Sequence, residues 1–363
     1  MIHDPHEGHA RLAPGKPPPE VLERLFAGLP RQDPRVVVGP RIGEDAAVLH
    51  LGDRYLVAKV DPITFVAEEI GWYAVHINAN DLAVRGARPA WFLMTLLLPE
   101  RHADEAALSA IFRQVQEACA AVGAHLVGGH TEVTVGLERP ILAGAMLGEV
   151  QTDRLVTTAG ARVGDAILLS KGIAIEGTSV LAREFERPLR DRGIPAETLA
   201  CARNFVHRPG ISVLPEAQAA LAVSPVHAMH DPTEGGLATG LWELAHAAGV
   251  GLCVDLDAIP ILPESRALCD ALAVDPLGLI ASGALLVTCP VADAHRILRA
   301  WDAHGIDGCV IGEVRPADAG CRMREKGSET ALPQFARDEM ARLFEAERRA
   351  HGGASENRVG WRH

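Results

Sequence analysis

Aromatic side chains are scarce in this chain: five Trp, two Tyr and eight Phe make up 4% of 363 residues, so its core has to be built from Leu, Val, Ile and Ala. Lysine is scarcer still, with only Lys16, Lys59, Lys171 and Lys326. Lys and Arg together number 35 against 47 Asp and Glu, and the formal charge of −12 is opposite in sign to the basic footprint of most nucleic-acid binders. An acidic chain still binds an anionic nucleotide when its carboxylates grip divalent cations that in turn hold the phosphates. The seven cysteines form no CxxC pair, which argues against a disulfide framework or a zinc ribbon and reads as buried free thiols. The longest apolar run, around residues 90–98, is too short to span a bilayer, and the N-terminus lacks the pattern of a signal peptide. The expectation is a cytoplasmic protein with neither nucleic acid nor membrane as partner.

What is present is ordinary for a folded chain: 48% hydrophobic and 23% charged residues, at a length that suits two compact domains. Residues 1–19 are rich in His, Pro and Gly and read as a flexible arm, with Pro19 opening a short helix over 20–26. Strands are predicted at 46–51, 55–60, 91–98 and 141–150, with helices at 68–85 and 103–122. This first α/β unit spans 20–155. A turn at 160–164 opens a second unit, 160–350, with strands at 166–170, 251–255, 284–288 and 309–314. Its helices are predicted at 176–185, 195–205, 234–248, 292–303 and 334–349, and residues 351–363 read as a frayed tail.

Chemistry-bearing residues gather in five short segments. Gly43-Glu44-Asp45-Ala46-Ala47 and Val60-Asp61-Pro62-Ile63-Thr64 each set a carboxylate beside a strand end. Asn78-Ala79-Asn80-Asp81-Leu82 embeds two Asn and an Asp in an otherwise apolar helix, with Gly86 as a C-cap before Pro89. Asp81 pays a desolvation cost if it turns inward, unless a cation meets it. Convergence of Asp45, Asp61 and Asp81 would make a site for Mg²⁺. In the fourth segment Gly128 and Gly129 follow a short strand as a turn that bares backbone N–H groups to an anion, ahead of His130, Thr131 and Glu132. His130 and Glu132 lack further ligands at a zinc spacing. In the fifth, His230-Asp231-Pro232-Thr233-Glu234-Gly235-Gly236, Asp231 or Thr233 is read as the cap of a helix whose free N–H groups suit a phosphate.

Taken in order, GEDAA, VDPITF, NANDLAVRGARP, GGHTE and HDPTEGG resemble the signature series of the aminoimidazole-ribonucleotide synthetase (PurM-like) superfamily across roughly residues 36–320, and most of all its HypE-type hydrogenase maturation branch. The resemblance implies two α/β domains, the N-terminal one joining a partner's in a dimeric β-barrel, with ATP in the cleft between them. It implies Mg²⁺ on Asp45, Asp61 and Asp81, and an ATP pocket shaped by Asn78, Gly128, Gly129, His130, Thr131, Asp231, Thr233, Gly235 and Gly236. Asp81 and Lys16 are its catalytic candidates, the latter because selenophosphate synthetases carry a mobile N-terminal Lys. Two features depart from the HypE pattern. The chain as given ends Gly360-Trp361-Arg362-His363 instead of in the carbamoyl-accepting Cys, and His130 stands where many relatives have an acid. The reading is therefore a homodimeric Mg²⁺- and ATP-dependent enzyme that activates or phosphorylates an oxygen of a separate small molecule or protein-bound group. A non-catalytic nucleotide-binding maturation partner and a thiamine-phosphate-type kinase are its alternatives.

Overall fold

The computed structural model of the chain describes Leu12 and residues 15–30, 33–101 and 103–351, arranged as a mixed α/β fold around two sheets. The first sheet contains β1 (Val36–Val38), β2 (Ala47–His50), β3 (Arg54–Ile63), β4 (Arg88–Pro99), β5 (His125–Thr134) and β6 (Ile141–Gln151), in the order β1-β2-β3-β6-β4-β5. Strict alternation along β6 buries one face, which takes up the apolar helix α2 (Ile70–Ala83). β4 and β5 run parallel, so the chain needs a crossover between them, and α3 (Glu105–Val122) supplies it. Asp104 starts α3 by accepting from the Ala107 N–H at 2.7 Å, and Gly123 ends it in the left-handed conformation.

The second sheet begins after residues 152–164 and has the order β13-β12-β9-β11-β7-β10-β8. Its strands are β7 (Asp165–Ser170), β8 (Ala228–His230), β9 (Gly251–Asp255), β10 (Leu286–Pro290), β11 (Gly308–Arg315), β12 (Cys321–Glu325) and β13 (Ser328–Ala331). β7 is buried on both faces, as its unbroken apolar run requires. Ala166 and Leu168 face a core shared with the first sheet, whereas Ile167 and Leu169 face a second core under α8 (Gly236–Ala248). The remaining helices are α1 (Pro19–Ala27), α4 (Ile175–Glu184), α5 (Glu186–Asp191), α6 (Ala196–Arg203), α7 (Leu214–Val223), α9 (Pro263–Leu272), α10 (Val291–Ala303) and α11 (Glu339–His351).

Several expectations change. Gly128 and Gly129 are no turn; they lie inside β5, whose pairing with β4 continues through both. The regular part of α2 ends at Ala83, and Gly86 closes it as expected: it is left-handed, its N–H donates to the Ala83 carbonyl at 2.9 Å and the Ala87 N–H to the Leu82 carbonyl at 3.0 Å. The last helix starts at Glu339 instead of near 334, because the Asp338 carboxylate accepts from the Met340 N–H at 2.7 Å and caps it there. The short helices α5, α7 and α9 and the polar hairpin β12–β13 were not anticipated. Cys201 is exposed on α6 instead of buried, beside the Glu264 carboxylate. Within the arm, Lys16 is not loose: its N–H donates to Glu234 Oε2 at 3.1 Å and its Nζ to Glu243 Oε1 at 3.0 Å. Residues 1–11 and the tail beyond His351 lie outside the described residues. No described helix is long and apolar enough to cross a membrane.

Candidate functional site

The site is assembled around Arg85, which follows α2 and is fully buried. Its guanidinium donates to Glu44, to Asp45 Oδ2 at 2.7 Å and to Thr158 Oγ1 at 2.5 Å. Glu44 also accepts from Arg41 at 2.9 Å and from the backbone N–H groups of Thr158 and Ala159 at 3.4 and 3.3 Å. The Gly43–Ala47 segment is thereby pinned to the end of α2 and to the link between the sheets. A buried cation of this kind is held only by the carboxylates that neutralise it. Arg85 was not among the sequence candidates, although a charged residue closing so apolar a helix was a signal for it.

Asp45 continues the chain of contacts. Its Oδ2 is 2.9 Å from His230 Nδ1, His230 Nε2 is 3.1 Å from Glu243 Oε2, and Glu243 meets Lys16. Burial opposes a charge on His230, but Asp45 and Glu243 outweigh it and push the imidazole up to about 10. Burial also opposes ionisation of Asp45, yet His230, Arg85 and Lys59 hold that carboxyl below its usual range. Asp231 is 1% exposed with both oxygens unpartnered, and burial with the nearby Asp45 charge pushes it up to about 8.

Asp61 and Asp81 flank an ammonium. Lys59 Nζ is 3.1 Å from Asp81 Oδ1 and 3.3 Å from Asp61 Oδ2. Burial lowers the Lys59 pKa, but Asp81, Asp61 and Asp45 outweigh it and raise it. Asp81 is raised by burial in spite of Lys59, with Asp231, Asp61 and Asp45 adding repulsion. Asn78 ties β3 to α2: its Oδ1 accepts from the Asp61 N–H at 2.9 Å, and its Nδ2 donates to the Asp61 and Ala74 carbonyls at 3.2 and 2.8 Å. Asn80, two residues on, ties α2 to the second half, donating to the Ile211 carbonyl and accepting from the Val213 N–H, each at 2.8 Å.

Asp45, Asp61, Asp81 and Asp231 thus share one electrostatic neighbourhood, with Lys59 among them. The donor chemistry fits Mg²⁺, because the excess of buried carboxylate includes unpartnered oxygens on Asp81 and Asp231. Beside the cluster a cavity of about 410 Å³ runs between the arm and α8, bordered by Lys16, Pro18, Glu234, Trp242, Glu243 and Phe335.

Other predicted residues lie apart or are already occupied. Asp61, Gly144, Met94 and Gly129 form one row across β3, β6, β4 and β5. At a strand spacing of about 4.8 Å, Gly129 is therefore about 14 Å from Asp61. A Cβ on Gly129 would lie 1.9 Å from the Met94 carbonyl, which is why the strand needs glycine there. Gly128, Gly129, His130 and Thr131 border a different cavity, of about 370 Å³, with Met94, Phe112 and Leu126. His130 Nε2 pairs with the exposed Glu132 at 2.9 Å.

Neither Asp231 nor Thr233 caps α8; the cap position is Gly235, in the left-handed conformation. Three of the N–H groups there are spent. Gly235 donates to Asp338 Oδ2 at 2.6 Å, Gly236 to the Thr233 carbonyl at 3.0 Å and Ala238 to the Leu277 carbonyl at 3.0 Å. Asp338, pushed up to about 7 by burial against those backbone bonds, stands where an anion was expected. Glu176 on α4 was likewise not anticipated; burial, with the charges of Glu234 and Asp61, raises it to about 7.

Comparison with known proteins gives this geometry a context. The family model described as "AIR synthase related protein, N-terminal domain" matches residues 43–150, and that described as "AIR synthase related protein, C-terminal domain" matches residues 162–321. A carbamoyl dehydratase HypE of Cupriavidus necator is 33% identical over 288 residues, 76% of this chain and 77% of the relative. A solved hydrogenase maturation protein HypE superposes with a TM-score of 0.66 at 26% identity, covering 84% of this chain and 94% of the other. A HypE structure in complex with ATP superposes with a TM-score of 0.64 at 24% identity, covering 88% and 96% of the two chains.

Proposed function

The chain belongs to the AIR synthase related family, and from that premise we propose that it is a Mg²⁺- and ATP-dependent enzyme that activates or phosphorylates an oxygen of a small molecule or partner group. The observation that carries the proposal is the pair Asp61 and Asp81 on Lys59 Nζ, with Asp45 and Asp231 near enough for their charges to act on Asp81. The ATP-bound HypE relative supports it.

Asp45, Asp61 and Asp81 would hold Mg²⁺, which when bound neutralises phosphate charge and so assists phosphoryl transfer. Lys59 adds a fixed positive charge, and Asn78 holds the Asp61 backbone in place, so the site is organised before a ligand arrives. Asp231 supplies an uncommitted carboxylate. Lys16, at the rim of the 410 Å³ cavity, is the cation best placed to meet a phosphate entering from the arm side.

We assign the nucleotide-binding unit to residues 20–155 and the unit that closes over it to 160–350. A homodimer fits as well: β5 is an open edge strand that exposes Val127 and Val133, and a second copy pairing there would continue the sheet toward a barrel. Gly128 to Thr131 would then lie at the seam between copies.

Calorimetry with a non-hydrolysable ATP analogue tests the proposal. Micromolar binding in Mg²⁺ that disappears in EDTA, and at least tenfold weaker binding by Asp81→Asn, are the expected results. Equal affinity in Mg²⁺ and EDTA, or an unchanged Asp81→Asn, removes the metal assignment.

A further inference from the structure

At the start of α8 a second group of carboxylates gathers. Glu234, just before the helix, accepts from the Lys16 backbone N–H at 3.1 Å and is repelled by the nearby charges of Asp61 and Glu243. Glu234 in turn repels Glu176, in the first turn of α4, and Asp338, just ahead of α11. Asp338 is satisfied by the N–H groups of Gly235 and Met340. Glu176 is not: it is 5% exposed, and its Oε2 has no hydrogen-bond partner. A buried carboxylate oxygen left so calls for a donor or a cation.

The cations on hand are engaged elsewhere. Lys16 Nζ and His230 Nε2 both contact Glu243, at 3.0 and 3.1 Å, and Arg337 pairs with Glu345. Among the described residues no salt bridge reaches Glu234 or Glu176. Glu234 and Asp338 border the cavity of about 410 Å³, which Trp242, Phe335 and the prolines of the arm wall on its apolar side. Lys16 and Arg337 border it as well, with their charges spent on Glu243 and Glu345. The Trp242 indole is held by His246, stacked on it with 4.9 Å between centroids and 15° between planes. A volume of this size falls in the range of small-molecule sites, about 300–1,000 Å³, and an aromatic wall beside an unpaired carboxylate suits a cation with an apolar body.

We propose that the cavity between the arm and α8 binds a small organic cation with a flat apolar body, its charged end on Glu234 and its body against Trp242 and Phe335. The charge of such a ligand relieves the mutual repulsion of Glu234, Glu176 and Asp338, which no side chain of the protein does. A phosphate that drew Lys16 away from Glu243 would leave the cavity more acidic and favour the cation further. The site stands independently of the nucleotide reading.

The test is calorimetry of the full chain, free of nucleotide and added metal, with benzamidine, benzamide and benzoate, which set a positive, a neutral and a negative group on the same ring. Benzamidine should bind at least about tenfold tighter than benzamide, and benzoate should not bind. Glu234→Gln should bring benzamidine down to the level of benzamide. Trp242→Leu, which keeps every charge, should weaken benzamidine at least about fivefold and covers the case in which Glu234→Gln fails to fold. No binding of benzamidine at millimolar concentration, equal affinity for benzamide or benzoate, or a benzamidine affinity unchanged in Glu234→Gln overturns the proposal. The probes carry no phosphate, so their failure leaves the Mg²⁺-nucleotide reading in place. Benzamidine binding by a protein that binds no nucleotide would leave the cation site standing and remove the function proposed above.

Discussion

Lys59 Nζ lies 3.1 Å from the carboxylate of Asp81, so the one acid inside an otherwise apolar helix is met by one of only four lysines in the chain. The same ammonium reaches Asp61 at 3.3 Å. A single strand residue thereby holds together two of the three carboxylates that the sequence motifs singled out. Its charge is permanent over the physiological range, because Asp81, Asp61 and Asp45 outweigh the cost of burying it.

Removing that charge should cost stability. Lys59→Met leaves Asp81 buried without its cation and is expected to lower the unfolding free energy by about 3 kcal/mol at neutral pH. Adding Asp81→Asn should restore most of the loss, because the double variant has no stranded charge at that position. Urea denaturation of the four forms, analysed as a double-mutant cycle, measures the coupling.

Asn80 is the hinge pin between the halves. Asn80→Ala abandons the Ile211 carbonyl and the Val213 N–H in a buried place, and about 2–4 kcal/mol should be lost. Asn80→Asp keeps the acceptor for Val213 but sets a carboxylate oxygen against the Ile211 carbonyl, and should be at least as damaging. Urea midpoints at constant m-value decide both.

His76 sets an acid limit. It is buried against Trp72 with neither ring nitrogen partnered, and burial, reinforced by the nearby His207 and Lys171 charges, lowers it to about 4. A depressed imidazole means that the folded state prefers the neutral ring. Its contribution is complete above the unfolded value near 6.5 and drains away as pH falls from there toward 4, by about 3 kcal/mol in all. His76→Phe should flatten the stability profile across that window relative to the wild type, measured by denaturation at pH 7.5, 6 and 5.

The open edge of the first sheet should govern assembly. Val133 is 59% exposed on β5, and Val133→Lys puts a charge where a second copy would pair. Sedimentation equilibrium should show a dimer for the wild type and a shift toward monomer for the variant, with thermal stability of the isolated chain little changed. A monomeric wild type, or a variant that dimerises equally well, speaks against pairing through β5.

Local pattern carried most of the elements of the first half. The alternation of β6 and the unbroken apolar run of β7 are written within a few residues, because the periodicity that buries one face or both is a property of the strand itself. Asp81 was legible for a related reason: an acid amid Ile77, Leu82 and Ala83 needs a cation or water, and the helix offers no water. The partners were not legible. His230 Nε2 finds Glu243 one helix later, Arg85 finds Glu44 and Asp45 forty residues earlier, and Gly235 finds Asp338 across 103 residues. For the same reason the glycine pair at 128–129 read as a turn and the start of α8 as a vacant anion site. Whether a backbone N–H is free depends on what the rest of the chain brings to it, here a parallel neighbour strand and the carbonyl of Leu277. By itself the sequence determined which residues had to be buried and which acids would then need company; only the tertiary structure decided what that company is, because charges and hydrogen bonds act through space and not along the chain.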